Sequence, residues 1–141
     1  MENLQRKEAK NGKVDTFDFL GFTHYCEKSK KGYFRVKRKT AKKKFNAKVK
    51  KMKIWIKDHR YLKTTEMIKQ INIKLRGHYQ YYGITNNGYC IKLYERCVNK
   101  LLWKWLNRRS ERKSYTNEEF KSLMKQNPLI TPRIYVNIYD V

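Results

Sequence analysis

The chain has 141 residues, with 35 Lys or Arg against 12 Asp or Glu and a formal charge of +23. That length suits one compact domain with a real core, and no apolar run of about 18 residues exists that could cross a membrane. So large an excess of one sign repels itself in a compact fold and points to a polyanionic partner.

Three polyanions compete for that role: nucleic acid, an anionic membrane surface and an acidic protein. Basic and fold-forming segments are interleaved along the chain, which favours nucleic acid. The opening MENLQRKEAKNGK is polar and lacks the apolar segment of a secretory signal. Cys26, Cys90 and Cys97 are odd in number and at spacings that make neither a disulfide framework nor a zinc site. They read as small buried apolar residues, and a reducing, cytoplasmic location is expected.

Residues 1–13 are polar and expected to order only against something outside the chain. The aromatic, β-prone run Thr16 to Tyr25 predicts a strand. A polar loop from Glu27 to Gly32 follows, and Tyr33 to Arg38 then alternates. Phe34 and Val36 should face one way and Tyr33, Arg35 and Lys37 the other, giving a β-hairpin with one basic face.

From Thr40 the period changes. Phe45, Val49, Met52 and Ile56 make a helical apolar stripe with lysines between them. Thr64 or Thr65 is the expected N-cap of a second helix, with Ile68, Ile71 and Leu75 facing inward. That helix is expected to run through Tyr79 and Tyr82 and to stop at Gly83, with residues 84–88 as a turn. Tyr82 should lie on the buried stripe and Tyr81 off it. A third helix is predicted over about 89–109, with Tyr94, Val98, Leu101 and Trp105 buried and Leu102 and Leu106 widening the stripe. Its terminal Asn107-Arg108-Arg109 suits the negative end of a helix dipole. Thr116-Asn117-Glu118-Glu119 is a capping box for a short helix bearing Phe120, Leu123 and Met124, ended by Pro128. The tail from Arg133 to Tyr139 alternates like an extended segment. The fold class is therefore mainly α with a small β-hairpin: an N-terminal hairpin, a three-helix bundle, a short fourth helix and an extended C-terminal tail.

The most informative block is Lys28 to Lys57, which holds fifteen Lys or Arg and no Asp or Glu. An ordinary solvated helix face mixes signs, because like charges at i,i+4 destabilise it. A stripe that neutralises backbone phosphates explains this block better. Arg35, Lys37, Arg38, Lys39, Lys42, Lys43 and Lys44 are its candidate phosphate contacts. The second block is Leu75 to Gly83, where three tyrosines in four positions cannot all point inward. Arg76, His78 and Tyr79 are its candidate RNA contacts, since aromatic and guanidinium faces stack on unpaired bases. The competing reading makes these tyrosines bundle filler.

Chemistry is not expected from this chain alone. His24, His59 and His78 are scattered, and the sequence shows no adjacent Asp pair, Gly-rich phosphate loop or nucleophilic triad motif. Two-metal phosphoryl transfer needs clustered carboxylates. No metal or cofactor is expected.

Phe17-Asp18-Phe19-Leu20-Gly21-Phe22-Thr23-His24-Tyr25, continued by Arg35-Val36-Lys37-Arg38-Lys39-Thr40, resembles the last reverse-transcriptase motif of bacterial group II intron-encoded proteins. The run from Leu75 to Ile84 resembles the core of their maturase-specific (thumb, or X) domain. Leu106-Asn107-Arg108-Arg109-Ser110 and Pro132-Arg133-Ile134-Tyr135-Val136 resemble that family's C-terminal end. The resemblance covers about residues 14–139, with separate motifs in the right order. It implies a remnant of the palm edge over 1–39 and a maturase-specific helical domain over 40–141. It further implies a cofactor of intron splicing and retrohoming. The implied partners are structured group II intron RNA, an RNA–DNA template-primer and an upstream palm and fingers fragment. The family's Tyr-x-Asp-Asp polymerase motif would lie upstream, and a Cys-rich endonuclease segment is missing. The chain thus looks like a C-terminal fragment without a polymerase centre. Two alternatives remain: a general RNA-coating protein of ribosomal type, and a non-catalytic piece of a polymerase complemented in trans.

Overall fold

The computed structural model describes residues 16–28, 30–108 and 115–139. The expectations for residues 1–13, Arg109 and Ser110 lie outside the described residues. In chain order the elements are β1 (Phe17–Phe19), β2 (Phe22–Lys28), β3 (Phe34–Thr40), α1 (Lys42–Asp58), α2 (Thr64–Tyr82), α3 (Gly88–Leu106) and α4 (Asn117–Gln126). The mainly α architecture with a small β-hairpin, expected from periodicity, is the one observed.

The N-terminal part differs in one respect. The run Thr16 to Tyr25 is not one strand but two, folded back at Leu20-Gly21, so the antiparallel sheet has three strands in the order β1-β2-β3. Leu20 and Gly21 both have positive φ, at 53° and 85°, as a two-residue primed turn requires. Leucine is a poor residue for that conformation, which is why its sequence gives no turn signal. Contacts made on both sides hold it: Tyr81 donates from its hydroxyl to Leu20 O at 2.6 Å, and Ala41 N donates to Gly21 O at 2.9 Å. A side chain at Gly21 would also press on Tyr82, whose hydroxyl lies 3.0 Å from the Cβ position.

The register pairs Tyr25 with Lys37 and Cys26 with Val36. Opposed residues share a face, so Tyr25, Glu27, Arg35, Lys37 and Lys39 lie together. The other face carries Phe22, which is buried against Tyr81 and Tyr82. Farther along that same face Phe34 and Val36 are exposed.

The three long helices enclose the core. Met52 and Ile56 of α1 are buried, with Phe45 and Val49 packed at its margin, as the stripe predicts. Helix α2 contributes Met67, Ile68, Ile71, Leu75, His78, Tyr79 and Tyr82. Helix α3 contributes Ile91, Tyr94, Val98, Leu102, Trp105 and Leu106, with Leu101 at the margin. Neither Thr64 nor Thr65 caps α2. Lys63 occupies that position without a side-chain cap, and the Thr64 hydroxyl lies 3.2 Å from the Tyr115 hydroxyl. In α4 the expected cap is present, with Thr116 Oγ1 accepting from Glu119 N at 3.2 Å.

Two junctions fix the bundle. Asn87, fully buried in the α2–α3 turn, accepts from Thr40 N at 2.7 Å and donates to Thr40 Oγ1 and Tyr82 O, each at 2.8 Å. One side chain thereby ties the end of β3 to the end of α2. At the other junction the tail crosses Gly83, whose carbonyl accepts from Tyr135 N and Val136 N at 2.7 and 3.0 Å. The tail is extended, as its alternation predicts, and meets the α2–α3 turn in a parallel bridge between Ile84 and Val136.

Candidate nucleic-acid interface

Strand β3 runs straight into α1, with Ala41 between them, so the basic block forms one continuous surface. Arg35, Lys39, Lys42, Lys43 and Lys44 are exposed, and Lys37 is half-exposed. Lys37 pairs with Glu27 across the strands, the one ion pair among the described residues. That hydrogen bond raises the Lys37 pKa. Lys39 sits 5.4 Å over the Tyr25 ring. Arg38 points to the opposite face, beside His24, with its Nη1 buried and without a hydrogen-bond partner among the described residues. It therefore stands apart from the other expected phosphate contacts.

Along α1 the apolar stripe faces α3 and α2, which turns the intervening lysines outward. Lys50, Lys51, Lys53 and Lys57 extend the exposed row begun by Lys42, Lys43 and Lys44. Lys48 is the exception. It is half-buried, lies 5.6 Å over the Tyr82 ring, and has its pKa lowered by burial and then by the charge of Lys51.

The second expected cluster divides. Arg76 is exposed. Tyr79 is wholly buried, and its hydroxyl donates to Ile130 O at 3.1 Å. Burial raises its pKa well above the ordinary tyrosine value. A ring in that position has no surface to offer a base, so the expected contact at Tyr79 is corrected to a packing role. Tyr82 is buried and Tyr81 half-exposed, as the stripe predicts. His78 is also buried, stacked against Tyr94 at 3.9 Å and Tyr82 at 4.7 Å between centroids. Its pKa is pushed down to about 3, by burial first and by the charge of Lys48 second. His78 lines a cavity of about 260 Å³ between α1 and α2.

One grouping escapes sequence reading. Lys57, Arg60, Lys104 and Arg108 all lie 5.2–5.7 Å from the centre of the Trp105 ring. They come from the C-terminal ends of α1 and α3, far apart in sequence, and no local motif announces them. No group of acidic, His or Cys side chains among the described residues could hold a metal ion. No helix among them is long and apolar enough to cross a membrane.

This arrangement can bind phosphates along an extended path: cations stand on one strand and one helix, without carboxylates inside the block to compete for them. Against known proteins, no curated protein and no solved structure matches the chain. A family model does match, that of the group II intron maturase-specific domain, over residues 42–125. The match opens on the first residue of α1 and closes one residue before the end of α4, so it takes in the whole helical bundle and more than half of the chain. The chain belongs to the family of group II intron maturase-specific domains.

Proposed function

We propose that this chain is the RNA-binding maturase, or thumb, portion of a group II intron reverse transcriptase, assisting intron RNA folding, splicing and retrohoming. The single observation that carries the reading is the exposed row of lysines on α1, set within the matched domain and unpaired with any carboxylate among the described residues. Membership of a family concerned with group II intron splicing makes the intron RNA the polyanion of choice. Arg35, Lys37, Lys39, Lys42, Lys43 and Lys44 contact its phosphates, and Arg76 extends the surface along α2. Residues 1–39, with the three-stranded sheet, belong to the edge of a palm domain, and residues 40–141 form the maturase-specific domain. Polymerisation on an RNA–DNA template-primer is then the work of palm and fingers, with this chain supplying grip.

Phosphate contacts position a protein without reading sequence, so preference for an intron must come from the shape of its RNA and from unpaired bases. Competition binding tests this. Folded group II intron RNA should displace a labelled intron domain at least about tenfold better than an unrelated structured RNA of equal length, a difference of about 1.4 kcal/mol. Equal displacement by both would favour a general RNA-coating protein instead.

A further inference from the structure

We propose that the cavity between α1 and α2 is a receptor for a single unpaired RNA base. The proposal rests on the RNA-binding reading above and goes beyond it by naming what enters one site.

The cavity measures about 260 Å³, below the 300–1,000 Å³ or so typical of pockets for drug-sized ligands. It is lined by the rings of Trp55 from α1, His78 from α2 and Tyr94 from α3, by Met52 and Gly77, and by the cations Lys48, Lys51 and Lys74; Trp55 is itself stacked on His59. Among the described residues no carboxylate lines it. Lys74 lies 4.9 Å over the Trp55 ring. The ligand that fits is planar and tied to an anion.

His78 adds a hydrogen-bonding requirement. Only 3% of it is exposed, and neither ring nitrogen has a hydrogen-bond partner among the described residues. Buried polar atoms in native proteins are nearly always paired, and each exception calls for an explanation. The two tyrosines on its faces leave only the edge of the imidazole available. A neutral imidazole carries one donor and one acceptor on nitrogens that point apart, so a base can pair with one of them through a donor or acceptor of its own edge. A free phosphate would engage the lysines and leave the rings and His78 unused. An apolar ligand would need none of the cations.

Gly77 keeps the entrance open. It sits in the middle of α2, where glycine weakens a helix, and nothing lies within 4 Å of the position its Cβ would take. A side chain starting from that open Cβ position would narrow the cavity that Gly77 lines. Gly77→Leu is therefore the test variant, and its melting temperature should equal or exceed that of the unaltered chain.

The probes are a single-stranded oligouridylate carrying one 4-thiouridine and a blunt RNA duplex of the same length. The unaltered chain should bind both, and photocross-links from the oligouridylate should map to the peptides holding Trp55, His78 or Tyr94. Gly77→Leu should lose about tenfold in affinity for the single strand, about 1.4 kcal/mol, lose those cross-links, and bind the duplex as before. Unchanged single-strand affinity would overturn the pocket and leave the RNA-binding reading standing, as would an equal loss on both RNAs. No binding of either RNA by the unaltered chain would overturn both.

Discussion

Tyr79 and His78 are neighbours in sequence and differ in what they can do. The Tyr79 ring is sealed in the core, with its hydroxyl satisfied by the tail at Ile130. Removing such a ring leaves a cavity and an unpaired carbonyl, so Tyr79→Ala should cost about 3–5 kcal/mol of stability, read as a large fall in melting temperature. RNA affinity per folded molecule should not change. His78 couples stability to pH. It is neutral when folded and titrates near its ordinary value of 6.5 when unfolded. Unfolding therefore takes up a proton below that pH, and stability is lost as pH falls from about 6.5 toward about 3, at up to about 1.4 kcal/mol per pH unit. Replacing it by Phe keeps a ring between Tyr82 and Tyr94 and removes the titration. Urea melts of both proteins from neutral pH down to about pH 4 should show the unaltered chain losing ground steadily to His78→Phe. A constant gap would mean that His78 is not held neutral by the fold.

At the level of elements, periodicity made the helices legible. The stripes Phe45-Val49-Met52-Ile56 and Ile68-Ile71-Leu75 face the core because a helix turns one residue in three or four inward. What was not legible depends on partners distant in sequence. The Leu20-Gly21 turn is held by Tyr81 and Ala41. Asn87 reads as one more polar turn residue, yet it is a buried clasp because Thr40 arrives from β3. Tyr79 could be assigned to surface or core only once Ile130 and the tail were placed. The four cations around Trp105 likewise meet only after α1 and α3 pack. Gly83 was legible as a helix stop, but its reason lies in the end of α2 together with the tail. A Cβ there would stand 2.2 Å from Tyr79 O and 2.7 Å from Arg133 O, both backbone atoms that cannot yield cheaply. Gly83→Ala should therefore undock the segment from Arg133 to Val136. The predicted signs are a lowered melting temperature and faster proteolysis in the tail; an unaltered cleavage pattern would contradict the junction described here.

Across the whole molecule, function rests on unbalanced charge. The net charge of +23 is spread over a fold that pairs one lysine with one glutamate among its described residues. Between exposed lysines repulsion falls off within a Debye length, about 10 Å at 0.1 M salt. Salt should thus ease the free protein while weakening its hold on RNA. Counterion release makes the second effect steep: log affinity falls with log salt by about 0.7–0.9 for each phosphate neutralised. The direct measurement is such a titration on group II intron RNA with the unaltered chain and with Lys42, Lys43 and Lys44 all changed to Ala. A surface engaging about five phosphates gives a slope of about −4, and the triple variant should be shallower by about 2–3 with its melting temperature kept. Two parallel lines, or a slope near zero for the unaltered chain, would contradict a phosphate-binding role for the lysine row of α1.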